Sequence, residues 1–136
     1  MDHFDYRMTD GELSGVSSLA LAHIGDAVFE IMVRAHLLRQ GAETAGVLHS
    51  RTVQMVSAKA QARFAEALLP CLTERETAVF KRGRNAKISD IHRAAGEEDY
   101  HAATGLETLF GWLYLKGEKA RLNELFDRLT EERHGA

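Results

Sequence analysis

Ile24-Gly25-Asp26-Ala27-Val28-Phe29-Glu30 sets a glycine and an adjacent carboxylate, Gly25-Asp26, inside a run that is otherwise largely apolar up to Glu30. Around it, Leu19, Leu21, Ile24, Ala27, Val28, Ile31 and Met32 recur at helical rather than alternating spacing, so the stretch reads as α-helix. His23, Asp26, Glu30 and Arg34 follow one another at steps of three, four and four residues and form a single polar stripe, with Ala20, Ile24, Ala27, Ile31 and Ala35 on the opposite side. Such a stripe is either a solvated face laced by His23–Asp26 and Glu30–Arg34 pairs or the wall of a site. Gly25 favours a site, because glycine inside a helix costs roughly 1 kcal/mol relative to alanine and is kept where another backbone or a ligand comes close.

The helical period extends outward through the whole chain, and the expected fold class is all-α. Ser17 or Ser18 should cap a helix that runs to about Arg39, with Gly41 just past its end. Thr44 to Leu69 reads as two helices broken near Ser57, itself a plausible cap for Ala58 onward. Thr73-Glu74-Arg75-Glu76 has capping-box spacing and opens a fourth helix that should fray around Gly83. From Arg84 to Gly96 the period is lost in a polar loop. A fifth helix is expected from about Glu97 to Leu115, ended by Gly117, and a sixth, amphipathic one from Glu118 to about Glu132.

With 136 residues, 45% hydrophobic and 27% charged, the composition is that of a globular chain. One domain over residues 1–136, with its core at about 17–132, is the expectation. The lone Cys71 allows no internal disulfide and fits a reducing compartment. There is no signal-peptide pattern and no apolar run long enough for a membrane span, so a cytoplasmic location with no membrane partner is expected. A net charge of −3 argues against a protein that coats nucleic acid, while leaving room for a local basic surface.

On the fifth helix, Tyr100, Thr104, Glu107, Gly111 and Tyr114 share one side, and a glycine again lies one turn from a lone acid. The ordinary alternative is a carboxylate bonded to a tyrosine or an arginine. Two carboxylates on packed helices repel unless a divalent cation lies between them, and Mg²⁺ suits few carboxylates, several waters and phosphate oxygens. That is the chemistry of phosphodiester hydrolysis. Lys81, Arg82, Arg84, Asn85 and Lys87 cluster around Gly83. They suit either a solvated helix end complementing the helix dipole or phosphate contacts along a nucleic acid. His49, Arg51, Lys59 and Arg63 extend the basic set. The seven histidines include no HxxxH or comparable pair, which argues against zinc.

Ile24-Gly25-Asp26-Ala27-Val28 resembles the Leu-Gly-Asp-Ala-Val segment of the ribonuclease III catalytic domain, and Glu107-Thr108-Leu109-Phe110-Gly111-Trp112-Leu113-Tyr114-Leu115 resembles its second acidic helix. Val56-Ser57-Ala58-Lys59-Ala60-Gln61-Ala62, Arg82-Gly83-Arg84-Asn85-Ala86-Lys87 and Thr104-Gly105-Leu106-Glu107 are more specifically similar to the small bacterial Mini-ribonuclease III branch, which consists of this domain alone. The resemblance spans about Leu19 to Leu129. It implies a ribonuclease III-like helical bundle without a separate double-stranded-RNA-binding domain. The implied activity is that of a homodimeric, Mg²⁺-dependent endoribonuclease of double-stranded RNA, with Asp26 and Glu107 as catalytic, metal-binding acids.

The implied substrate is the precursor of the large-subunit ribosomal RNA, with a ribosomal protein bound to that substrate as a further candidate partner. Full-length ribonuclease III also carries acids where this chain has Leu19, Ala22 and Thr104, so those three carboxylates are missing here; Glu30 is the nearest extra acid and a candidate helper. Arg82, Arg84, Asn85, Lys87, Lys81, Lys59 and Arg51 are the candidate RNA-binding residues. A non-catalytic RNA-binding or ribosome-associated protein that kept the fold is the alternative. Two-fold symmetry would place two acid pairs along one duplex. The apolar surplus on the first and fifth helices, at Leu19, Leu21, Val28, Met32, Phe110, Trp112 and Leu113, is the expected dimer surface.

Overall fold

The computed structural model describes residues 1–41, 44–86 and 96–134. Among these residues there are seven α-helices and no strand. They are α1 (Asp10–Ser14), α2 (Ser18–Gln40), α3 (Ala45–Val56), α4 (Ala58–Leu68), α5 (Glu74–Arg84), α6 (Glu97–Lys116) and α7 (Lys119–His134), with a 3-10 turn at Leu69–Cys71 between α4 and α5.

Most boundaries follow from side-chain oxygens that satisfy the free N–H groups of a first turn. Ser17 accepts from the Ala20 N–H, Thr44 from Val47 and Thr73 from Glu76. Ser57 ends α3 and starts α4, accepting from the Ala60 N–H, so one extended residue turns the chain. Gly117, in the left-handed region at φ 81°, stops α6. Periodicity gives no sign of α1, because five residues are too few to show a period. Its sign is Thr9-Asp10-Gly11-Glu12, a complete capping box that opens α1.

α6 is the axis of the bundle. Ala103, Leu106, Leu109, Phe110, Trp112, Leu113 and Leu115 are buried around its circumference, as an all-round apolar helix must be. It packs most extensively on α2, then on α5 and α4, with α7 and α1 completing the cover. Phe29 of α2 sits where four helices meet: its ring lies 5.5 Å from Phe110 of α6, 6.0 Å from Phe64 of α4 and 6.0 Å from Phe126 of α7. The buried Glu76 of α5 takes two hydrogen bonds of 2.8 Å from Arg121 of α7, which also donates to the Cys71 carbonyl at 2.9 Å. The Arg121 guanidinium holds the Glu76 carboxyl below its ordinary range.

The expected dimer surface needs correction. Leu21, Val28, Phe110, Trp112 and Leu113 are buried in the core and offer no surface to a partner. The apolar surplus on α6 exists because several helices surround it, not because a second subunit does. Leu19 of the expected surface stays exposed, as do Val47 and Val53 on α3 and Phe4 near the start of the chain, and the outer side of α2 is open where Ile31 and Leu38 are each 59% exposed beside Ala27 and Ala35. Among the described residues, no helix is long and apolar enough to cross a membrane.

Candidate active site

α2 and α6 cross at a pair of glycines. A Cβ at Gly25 would overlap the backbone carbonyl of Glu107, and a Cβ at Gly111 would overlap that of Leu21. Backbone therefore meets backbone, and only residues without side chains fit. The crossing sets Asp26, next to Gly25, beside Glu107, whose own peptide forms part of the contact.

The Asp26 and Glu107 side chains lie within hydrogen-bonding reach of each other. Asp26 is exposed and Glu107 is half-buried, so the cost of placing a carboxylate among apolar groups falls on Glu107 alone. Burial pushes the Glu107 carboxyl up to about 8, and the neighbouring Asp26 charge adds to the rise. At neutral pH Glu107 therefore keeps its proton. Two close carboxyl groups, one open to solvent, are a donor set that suits a hard divalent cation in the proton's place.

Among the described residues, no third acidic, histidine or cysteine side chain joins them in a group that could hold a metal. Glu30, the candidate helper, instead pairs with Arg34 at 2.9 Å. Thr104 is buried and donates its hydroxyl to the Tyr100 carbonyl at 2.9 Å, while Ala22 is buried against the core.

Gln61 is a part of the site that sequence reasoning missed. It is buried on α4, and its Nε2 donates to Glu107 Oε2 at 3.3 Å and to the Val56 carbonyl at 2.9 Å. Its bond to Glu107 works against the upward shift of that carboxyl. The contact spans 46 positions in the chain, and helical spacing carries no trace of it.

The basic residues occupy two places. Lys81 and Arg82 are exposed at the C-terminal end of α5, where they complement the helix dipole. Arg84 stacks 5.8 Å from the Phe80 ring centre, and its Nε donates to Asn85 Oδ1 at 3.4 Å. Lys87 lies outside the described residues. This end of α5 touches α6 one residue beyond Glu107: a Cβ at Gly83 would overlap the Thr108 side chain. Arg51 and Lys59 are exposed on α3 and α4. Lys59 and Arg63 line a surface cavity of about 300 Å³ with Gln54, Ser57, Ala60 and Phe64.

A family model described as the ribonuclease III domain matches residues 19–118. The Mini-ribonuclease 3 of Enterococcus faecalis is 42% identical over 125 residues, covering 90% of this chain and 89% of that protein. Its counterpart in Clostridium tetani is 42% identical over 118 residues, covering 86% and 78%, and that of Synechocystis is 46% identical over 113 residues, covering 83% and 77%. A crystal structure of a Fusobacterium nucleatum protein superimposes with a TM-score of 0.81 at 25% identity, over 90% of this chain and 98% of that one.

Proposed function

The chain belongs to the ribonuclease III family, in its Mini-ribonuclease III branch, and from that premise we propose that it is an endoribonuclease of double-stranded RNA whose Asp26 and Glu107 together hold Mg²⁺. The observation that carries the reading is the meeting of these two carboxyl groups at the glycine crossing, with Glu107 shifted as a cation would reverse. When bound, such an ion activates water and offsets charge on the scissile phosphate. Glu107, fixed by its helix and by Gln61, gives the site its orientation. Asp26, exposed, leaves the site open to a phosphodiester. Incubating the protein with long duplex RNA, with Mg²⁺ and with chelator, tests this: cleavage only with the ion is expected, and cleavage in chelator sinks the assignment.

The basic groups at the end of α5 and on α3 and α4 supply phosphate contacts of the kind that recognise A-form RNA by shape. Replacing Arg82, Arg84 and Lys87 with alanine should weaken duplex binding alike across sequences and flatten its salt dependence by up to about 3 units of slope. Filter binding over a range of salt concentrations measures both. An unchanged slope would leave these residues as a solvated helix end.

The natural substrate proposed is the large-subunit ribosomal RNA precursor, in the cytoplasm, with a ribosomal protein shaping it. A homodimer is proposed through the outer ridge of α2, where Ala27, Ile31, Ala35 and Leu38 form an apolar strip that one chain leaves in water. Joining two such strips about a two-fold axis brings both acid pairs onto one assembly, one for each strand. Sedimentation should report twice the chain mass, and Ile31→Glu should give a folded monomer with little cleavage activity. Full activity of that monomer would refute the shared arrangement.

A further inference from the structure

Gln61 is 2% exposed, yet both ends of its carboxamide are polar. Its two N–H groups are spent on the Val56 carbonyl and on Glu107 Oε2. Val56 is the last residue of α3, and a carbonyl at a helix end has no partner within its own helix. Oε1 of the same amide is buried, and no donor among the described residues reaches it. A buried acceptor left unpaired costs about 1–3 kcal/mol, so packing alone would favour an aliphatic side chain here. What the amide gains in exchange is a bridge between the α3–α4 corner and one oxygen of Glu107. The other neighbour of that carboxyl is Asp26.

We propose that Gln61 is a positioning residue for the acid pair, holding the Glu107 carboxylate turned toward Asp26 so that both oxygens' directions are set before a divalent cation arrives. The proposal rests on the reading of Asp26 and Glu107 as cation ligands. Groups that orient a metal ligand from behind commonly change metal affinity by 10- to 100-fold when removed. Gln61 has that relation to Glu107: it touches the ligand, is itself fixed by backbone, and has no open path to solvent.

The test is Mg²⁺ titration calorimetry on the intact protein without RNA, comparing the wild type with Gln61→Met, which fills similar space without a donor. Mg²⁺ affinity should fall by roughly tenfold or more, and cleavage lost at low Mg²⁺ should return when the ion is raised by the same factor. A glutamine with a merely structural role would lower the melting temperature and leave both quantities unchanged, and that result overturns the proposal. Absence of Mg²⁺ binding in the wild type would overturn the reading of the acid pair as well, which separates the two failures.

Should Gln61→Met fail to fold, the Gln61 side-chain amide resonances of the wild type decide. They should shift along the same Mg²⁺ titration curve as the calorimetry. Resonances that stay in place at saturating Mg²⁺ would show that the amide does not sense the site.

Discussion

Asp26→Asn is expected to fold normally and to lose duplex cleavage by on the order of a thousandfold or more, since the amide keeps the shape and lacks the charge that would hold a cation. A second effect follows from Glu107. Its carboxyl lies at about 8 in the fold against an ordinary 4.5, so between those values the folded chain holds a proton that the unfolded chain has released. Stability without metal must therefore fall as pH rises from about 4.5 to about 8. Removing the Asp26 charge takes away one of the causes while burial remains, so the decline should become shallower without vanishing. Near pH 8 the variant should be more stable than the wild type by on the order of 1 kcal/mol. Melting curves in chelator from pH 5 to 9 show this directly. Cleavage by Asp26→Asn within tenfold of wild type, or a wild-type melting temperature that does not decline over that range, would contradict this picture of the pair.

Gly25→Ala should be the most damaging single methyl group in the chain. The added Cβ meets the Glu107 carbonyl and the Gly111 N–H, which are backbone atoms that no rotamer change can move aside. The helices must part, at a cost of at least about 3 kcal/mol, equivalent to a fall of roughly 10 °C or more in melting temperature. Activity should fall with it, since Glu107 forms the surface being pushed. Gly46→Ala is the control: it lies near the start of α3 with nothing within 4 Å of its would-be Cβ. There the change should be neutral or stabilising by up to about 1 kcal/mol. Equal melting temperatures for the two variants would mean that the helices at the crossing have room to spare.

Gly25 and Gly111 also show what a sequence makes legible and what it hides. Each stands close to an acid set among apolar neighbours, and this local oddity is enough to single out both carboxylates. Helix ends at Ser17, Thr44, Ser57, Thr73 and Gly117 are equally readable, because a cap is a chemical event between neighbours in the chain. Orientation is harder. α2 is apolar on more than one side, and periodicity does not say which side is inward; the contact with Gly111 decides it and leaves Ile31 and Leu38 outside. For the same reason Val28 and Trp112, expected at a surface, are found in the core. Gln61 stands within the Val56–Ala62 segment of the family resemblance, but its role is not legible there because its partner is reached only through the tertiary fold.

The placement of α6 at the axis has a consequence for how the chain comes into being. Helices α2, α4 and α5 leave the ribosome first, yet each buries its apolar face chiefly on a helix that begins at Glu97 and ends at Lys116. Until Lys116 has been synthesised they lack the helix on which they chiefly pack, and Phe29 lacks the Phe110 ring beside it. The acid pair is split in the same way, with Asp26 waiting through the translation of the whole stretch up to Glu107. Assembly of the core and assembly of the site thus both wait for α6, and a nascent chain has neither until that helix arrives.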